Sequence, residues 1–252
     1  MQMQILINGA GGQMGRTLTA ILQKEESSAS LAGRVDPFVR EAGILPSLSA
    51  FEGRAHCVID FSSHEGTVPL LDWAIAKGLP VVLCITGQTE QELAVIRSAA
   101  EQIPLFFSGN MSLGVALLSR LVCRAAQLFP EADIEIVESH HNRKTDVPSG
   151  TALMLAQALQ TVRPNAAWLA GRRENGRRSR NEIGIHSLRM GGCVGTHEVI
   201  LHTGTQLLSL KHEALDRSVY AEGALSAAAF LLGKAPGLYT MEHLLEERRL
   251  PL

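Results

Sequence analysis

Met3-Gln4-Ile5-Leu6-Ile7-Asn8-Gly9-Ala10-Gly11-Gly12-Gln13-Met14-Gly15 is the stretch from which the fold is read. Ile5, Leu6 and Ile7 form an uncharged apolar run, which suits a strand covered on both faces, as parallel strands are. Met14, Leu18, Ile21 and Leu22 then recur at helical spacing over residues 14–24, so a strand feeds a helix through a glycine-rich turn. Glycines there permit a tight bend and let backbone amides approach a pyrophosphate at the helix N-terminus, the geometry of a dinucleotide site. The spacing departs from strict G-x-G-x-x-G, because Met14 holds the final position and Gly15 follows one later. Context supplies the remainder: Asp36 stands at the end of the next apolar run, where an acid accepts hydrogen bonds from a ribose diol. A carboxylate at that point repels a 2′-phosphate. The pair Asp36-Pro37 therefore tilts the expectation towards NADH, while Arg34 and Arg40 nearby keep NADPH open.

The same rhythm continues outward. Strands are expected at residues 31–36, 57–61, 80–85 and 105–108, with helices at 67–77 and 90–101 between them. Such alternation predicts a parallel sheet covered by helices. After Gly109 the pattern changes to a long helix at 113–129, a strand at 133–138 and a helix starting near Ser149. Three runs follow, at 183–190, 196–202 and 206–213, each alternating apolar and polar residues between glycine-containing turns. They read as an antiparallel meander. Helical segments at 219–233 and 241–249 close the chain. The expected fold class is α/β: an N-terminal Rossmann-type parallel-sheet domain and a second α/β domain built on a mixed, largely antiparallel sheet. The boundaries expected are 1–110, completed by 222–252, for dinucleotide binding, and 111–221 for substrate binding and oligomerisation.

Composition narrows the class. The 252 residues allow one large α/β domain or two smaller ones, and 46% hydrophobic with 19% charged residues is a globular balance. A net charge of −2 excludes a polyanion binder on bulk electrostatics. Arg172, Arg173, Arg177, Arg178 and Arg180 form a local basic run, read as a mobile, solvated loop rather than a nucleic-acid patch. The four cysteines form no C-x-x-C pair, so no metal site is expected and reduced thiols in a cytoplasmic protein are. No secretion signal is read at the start, and Ser119, Arg120 and Arg124 exclude residues 113–129 as a membrane span.

The densest chemistry lies in Glu138-Ser139-His140-His141-Asn142-Arg143-Lys144-Thr145-Asp146-Val147-Pro148-Ser149-Gly150-Thr151. Ser149 is a natural N-cap after Pro148, and the amides of Gly150 and Thr151 fall in the first turn, where the helix dipole favours an anion such as a carboxylate. His140 or His141 can donate a proton near neutral pH, and Lys144 supplies a fixed positive charge. Asp146 is expected to brace the loop by accepting backbone amides.

The string His-His-x-x-Lys-x-Asp-x-Pro-Ser-Gly-Thr, with the Gly-Ala-Gly-Gly-x-Met-Gly start, resembles the dihydrodipicolinate reductase family of lysine and diaminopimelate biosynthesis. The resemblance runs over nearly the whole chain, including Asp60-Phe61-Ser62, Asn110-Met111-Ser112-Leu113-Gly114-Val115 and Val194-Gly195-Thr196-His197. It implies a hydride passed from NAD(P)H to a cyclic unsaturated dicarboxylate, with His140 as general acid assisted by Lys144. His141, Ser149, Gly150 and Thr151 then hold substrate. Gly9, Gly11, Gly12, Gln13, Met14, Gly15, Asp36, Phe61, Thr86, Gly87, Ser108 and Met111 contact the cofactor. A homotetramer without membrane or nucleic-acid partners is implied too. The chain departs from the family pattern at Cys84-Ile85, Ser63 and Ser226. Two other readings fit the glycine turn: an amino-acid-type NAD(P) dehydrogenase of related two-domain design, and a non-catalytic nucleotide-sensing protein. Neither requires the double histidine beside Pro-Ser-Gly-Thr.

Overall fold

The computed structural model of the protein describes residues 2–248. The expected extension of the last helix to Arg249, and the ends of the expected first domain at Met1 and residues 249–252, lie outside the described residues. The chain divides into two compact units, one built from the chain up to Leu113 and from Arg217 onward, the other from Gly114–Asp216.

The first unit begins β1 (Met3–Asn8), α1 (Gln13–Leu22), β2 (Ala29–Val35), β3 (Cys57–Asp60), α2 (Thr67–Lys77), β4 (Val81–Leu83), α3 (Glu90–Ala100) and β5 (Pro104–Phe107). The second runs α4 (Leu113–Leu128), β6 (Asp133–His140), α5 (Gly150–Val162), β7 (Ala167–Ala170), β8 (Glu182–Arg189), β9 (Gly195–His202) and β10 (Leu207–Ala214). The chain then returns to the first unit with α6 (Ser218–Leu231), β11 (Gly237–Tyr239) and α7 (Met241–Glu247).

In the first unit six strands pair in the order β11-β5-β4-β3-β1-β2, all parallel. Burial on both faces explains the unbroken apolar runs: β3 and β4 are buried at every position, and β1 at all but Gln4. Leu70, Leu71 and Ala74 of α2 with Ile96, Ala99 and Ala100 of α3 cover one part of this core. α3 starts on a capping box, with Thr89 accepting from the Glu92 amide and the Glu92 carboxylate accepting from the Thr89 amide. α6 buries Ala221, Gly223, Ala224, Ala227 and Ala228, and its small side chains allow close approach: a Cβ on Gly223 would lie 1.7 Å from the carbonyl oxygen of Met111.

The second unit holds a five-stranded mixed sheet in the order β10-β9-β6-β8-β7. β10–β9 and β9–β6 are antiparallel, whereas β6–β8 and β8–β7 are parallel. The expected meander is therefore corrected: β8 and β9 follow one another in sequence but lie on opposite sides of β6. The link between them passes the end of β6, where the Met190 amide donates to the His140 carbonyl and the Asn142 amide to that of Gly191. Local alternation of side chains cannot report such a hop, because it fixes facing and not neighbours. The short strands β7 and β11 were likewise not foreseen. The basic run is corrected in part. Arg178 is not a solvated cation: it donates to the carbonyls of Ile134 and Glu182 and to Glu135, and pairs with Asp133. Arg173 and Arg177 are exposed.

Candidate active site

The core face of the mixed sheet is laid out in rungs. Leu208, Leu201, Ile134 and Ile183 stand opposite one another across β10, β9, β6 and β8, and Leu210, Val199, Ile136 and Ile185 form the next rung. One step further the same register sets His212, His197, Glu138 and Ser187 in line, followed by His140 opposite Arg189. Four strands thus change from apolar to polar at the same height. Because side chains alternate with period two, Glu138 and His140 continue the inward phase of Ile134 and Ile136, and Ser187 and Arg189 that of Ile183 and Ile185.

Glu138 is the centre of this polar end and is fully buried. Its Oε2 accepts from Nδ1 of His140 at 2.6 Å and from Arg189 Nη1 at 2.9 Å. Its Oε1 accepts from Arg189 Nη2 at 2.9 Å and from the Ser149 amide at 3.2 Å. Burial pushes the carboxyl pKa up, but the donors from Arg189, Ser187, His140 and Ser149 outweigh it and hold the group at about 2. Glu138 is therefore a carboxylate, and His140 must present Nδ1–H to it, which leaves Nε2 as the other proton-carrying nitrogen.

Ser149 caps α5, its Oγ accepting from the Ala152 amide at 3.2 Å and lying 3.0 Å from Nε2 of His197. Burial, with His140 and His212 nearby, pushes His197 down to about 4 despite the opposing effect of Glu138. His197 is thus neutral near pH 7, with one ring nitrogen a donor and the other an acceptor, and Nε2 shares a hydrogen bond with the Ser149 hydroxyl. The ring of His197 meets that of His140 edge to face, 5.2 Å between centroids. Ser149 is almost wholly buried, whereas Gly150 is exposed with nothing within 4 Å of a Cβ built on it. First-turn amides have no carbonyl of their own helix to bond, and at the start of α5 there is open room in front of Gly150.

Lys144 pairs with Asp146, Nζ to Oδ1 at 2.8 Å, and Arg189 Nη2 donates to the Asp146 carbonyl at 2.7 Å. Asp146 braces this loop through Lys144 and its own carbonyl, and its carboxylate also gains from its own backbone amide, an amide of the expected kind. Burial raises the Asp146 carboxyl, and Lys144 more than offsets that and holds it below its usual range. His141 is half-buried next to His140.

In the first unit the residues expected at the cofactor lie at the C-terminal ends of the parallel strands. Asn8 of β1 is level with Asp60 of β3, Asp60 with Leu83 of β4, and Leu83 with Phe107 of β5. Past these ends come Gly9, Phe61, Thr86-Gly87 and Ser108. β1 continues to β2 on one side while β3 pairs on the other, so the glycine turn sits where strand order reverses, the usual ligand crevice of an open α/β sheet. Gly9 takes φ +76°, and a Cβ there would lie 2.6 Å from the backbone of Phe61 and Ser62. A Cβ on Gly15 would lie 2.3 Å from the Gly9 carbonyl oxygen. Gly12 is the N-cap of α1 and provides no side-chain cap, so nothing from the cap position covers the helix start. Asp36 accepts from the Gly11 amide at 3.0 Å and the Phe38 amide at 2.9 Å, which fixes the turn itself. Gln13 accepts from Arg217. Met111 is buried and its carbonyl faces Gly223 of α6.

With this geometry in place, comparison decides the family. Residues 3–111 match the family described as dihydrodipicolinate reductase, N-terminus, and residues 114–245 the family described as dihydrodipicolinate reductase, C-terminus. The chain belongs to the dihydrodipicolinate reductase family. It is 42% identical over 251 residues to a protein named 4-hydroxy-tetrahydrodipicolinate reductase from Caldanaerobacter subterraneus subsp. tengcongensis, covering 98% of this chain and 100% of that one. A relative of the same name from Clostridium novyi is 36% identical, covering 97% of this chain and 99% of that one. Among solved structures, dipicolinate-bound dihydrodipicolinate reductase from Paenisporosarcina sp. TG-14 shares the fold, with a TM-score of 0.75 at 22% identity, covering 95% of this chain and 98% of that one. The N-terminal unit of this reductase family takes a pyridine nucleotide, and the uncapped start of α1 suits the pyrophosphate of such a cofactor. No helix among the described residues is long and apolar enough to cross a membrane.

Sequence reasoning singled out His140, Lys144 and the start of α5 but missed Arg189, Ser187 and the role of Glu138, and it quoted His197 only as part of a family string. One signal was available. An arginine on the inward phase of a strand that begins Ile183-x-Ile185 needs a buried carboxylate, and Glu138 stands on the inward phase of the strand that begins Ile134-x-Ile136.

Proposed function

We propose that the chain is a 4-hydroxy-tetrahydrodipicolinate reductase of lysine and diaminopimelate biosynthesis, in which His140 is the proton donor. The observation that carries this is the Nδ1 contact of His140 to the buried Glu138 carboxylate at 2.6 Å, on the strand that leads into the loop to the open helix start at Gly150. Reduced nicotinamide, when bound, supplies the hydride. The net change replaces the ring hydroxyl by hydrogen and releases water, so one proton is consumed per turnover; His140 delivers it from Nε2. The amides of Gly150 and Thr151 hold one substrate carboxylate, with Ser149 shaping that helix start, while His141 adds a hydrogen-bonding ring and Lys144 a positive charge beside it.

The glycine turn Gly9–Gly15 takes the pyrophosphate, with Gln13 and Met14 at the start of α1 beside it. Phe61, Thr86, Gly87, Ser108 and Met111 belong to the segments that hold the rest of the cofactor. Asp36 keeps carboxylate lone pairs for the ribose diol besides its two amides and disfavours a 2′-phosphate, so NADH is the preferred nicotinamide. A cytoplasmic location goes with four free thiols, and a homotetramer completes the reading, checked by light scattering.

The test is oxidation of NADH and NADPH by the full chain with freshly generated 4-hydroxy-tetrahydrodipicolinate. Substrate-dependent turnover with the higher kcat/KM for NADH is expected. Tight nucleotide binding without turnover would instead favour the sensing protein, and turnover only with an amino acid would favour the related dehydrogenase.

A further inference from the structure

Arg189 reaches both the Glu138 carboxylate and the loop that carries Lys144 and Asp146. Its two terminal nitrogens grip both oxygens of Glu138 at 2.9 Å, the planar two-pronged match that an arginine makes with a carboxylate. Nη2 also donates to the Asp146 carbonyl at 2.7 Å, and Nη1 to the Leu188 carbonyl at 2.7 Å. Through Glu138 it therefore touches the ring of His140 and the amide of Ser149; through Asp146 it touches the partner of Lys144. The position is deeply set, with the Arg189 side chain 17% and the Glu138 side chain 0% exposed.

We infer that Arg189 and Glu138 are a positioning pair: Glu138 aims His140 and anchors the start of α5 with one carboxylate, and Arg189 locks that carboxylate and ties the Lys144 loop to it. The inference rests on the reading of His140 as the proton donor. Its physical content is that one carboxylate serves two clients. Oε2 receives the ring N–H of His140 and Oε1 the Ser149 amide, so donor ring and anion site share a rigid link across eleven residues of sequence. Arginine in the middle keeps Glu138 ionised and stops its charge from acting on His140 unopposed. Besides Glu138, the titratable group that meets the ring is His197 from β9, edge to face, and His197 in turn feels His212 of β10 and Lys144, the partner of Asp146.

The full-length enzyme is tested as Glu138→Gln, Arg189→Met and Arg189→Lys. Readouts are kcat and KM over pH, affinity for pyridine-2,6-dicarboxylate, and nitrogen-15 NMR of the His140 ring without substrate. Glu138→Gln is expected to lower kcat by roughly tenfold or more, part of the roughly 10²–10⁴-fold that a placed proton donor contributes. Its alkaline limb of activity moves to lower pH, because the imidazolium has lost the adjacent negative charge. Arg189→Met also lowers kcat but moves that limb the opposite way, since the carboxylate then acts without its counter-charge, and it weakens dicarboxylate binding through the freed loop. Arg189→Lys recovers the limb and only part of kcat, because a single ammonium cannot span both oxygens and the carbonyl. If Arg189→Met does not fold, Glu138→Gln and Arg189→Lys carry the same test. Wild-type kcat, an unmoved limb and an unchanged His140 spectrum in the folded variants would overturn the pair as a positioning device. Absence of turnover in the wild type would instead overturn the reductase reading, while the His140 spectrum would still report on the pair.

Discussion

The turn after β1 and the polar rung of the mixed sheet are built from opposite materials. In the turn the decisive atoms are backbone: Gly9 at φ +76°, Gly15 against the Gly9 carbonyl, and Gly12 leaving the helix start bare. Side chains enter only to hold that shape, as when Asp36 accepts from the Gly11 amide. In the rung the decisive atoms are side chains brought together by strand register, Glu138, His140, His197 and Arg189, and the backbone enters mainly through the start of α5. A cofactor shared by many enzymes needs only a shape, which glycine provides by having nothing to offer but room. A particular substrate needs charge and a proton placed to within a fraction of an ångström. Each region should therefore fail in its own way.

The largest failure is expected from His140→Gln. It should reduce kcat by roughly 10²–10⁴-fold, with the nucleotide dissociation constant, measured by fluorescence titration, nearly unchanged. A variant that lost nucleotide affinity in parallel would break the separation of roles. The converse is Gly15→Ala. Its Cβ would sit 2.3 Å from the Gly9 carbonyl oxygen and 2.6 Å from the Ala10 Cα, both backbone atoms that cannot swing aside. An overpacking cost of about 1–3 kcal/mol is expected, with nucleotide binding weakened about tenfold or more and pyridine-2,6-dicarboxylate binding retained by calorimetry.

The contrast in materials also explains what was legible. The turn is local: strand, glycines and helix lie within twenty residues, and glycine identity reports the geometry directly. The parallel sheet followed from β3 and β4 reading as solid apolar runs, and Ser149 followed as N-cap from its place after Pro148. What stayed hidden depends on neighbours far away in sequence. Whether β8 lies beside β6 or β9 is decided by the crossover through α5 and β7, and no alternation pattern within residues 183–190 encodes it. Arg189 could be read as facing inward, but its partner Glu138 lies fifty-one residues away. Asp36 was legible only in part: its spacing from the glycines points to a ribose acceptor, whereas its hold on the Gly11 and Phe38 amides of the turn was not read.

The polar rung also makes stability depend on pH in a way the glycine turn does not. His197 is held neutral, with its pKa pushed down to about 4 by burial and by the neighbouring histidines. The unfolded chain protonates that histidine near 6.5, so its contribution is complete above about 6.5 and declines as pH falls towards about 4, by at most about 3 kcal/mol. Glu138, held at about 2, extends the loss to lower pH in the same direction, because its carboxylate is favoured by folding. Urea unfolding at pH 7, 5.5 and 4 should show this decline in the wild type and a shallower one in His197→Asn, whose amide keeps both a donor and an acceptor for Ser149 and does not titrate. Equal slopes in the two proteins would show that His197 is not the group responsible.

The smallest effects sharpen the comparison inside one loop. Arg178 and Arg180 are two residues apart in a basic run that looks uniform in sequence, yet Arg178 is 19% exposed at its side chain and Arg180 80%. Arg178 satisfies the carbonyls of Ile134 and Glu182 and pairs with Asp133 and Glu135, which ties the loop to β6 on the sheet that carries Glu138. Truncating it strands those acceptors, so Arg178→Ala should cost about 1–3 kcal/mol in urea unfolding. Arg180 pairs with the exposed Glu131, so Arg180→Ala should change stability by less than about 1 kcal/mol and leave kcat unchanged. Equal losses in the two variants would mean that the run acts as one solvated patch. A loss confined to Arg178 shows that register has made one arginine structural while its neighbour stayed in water.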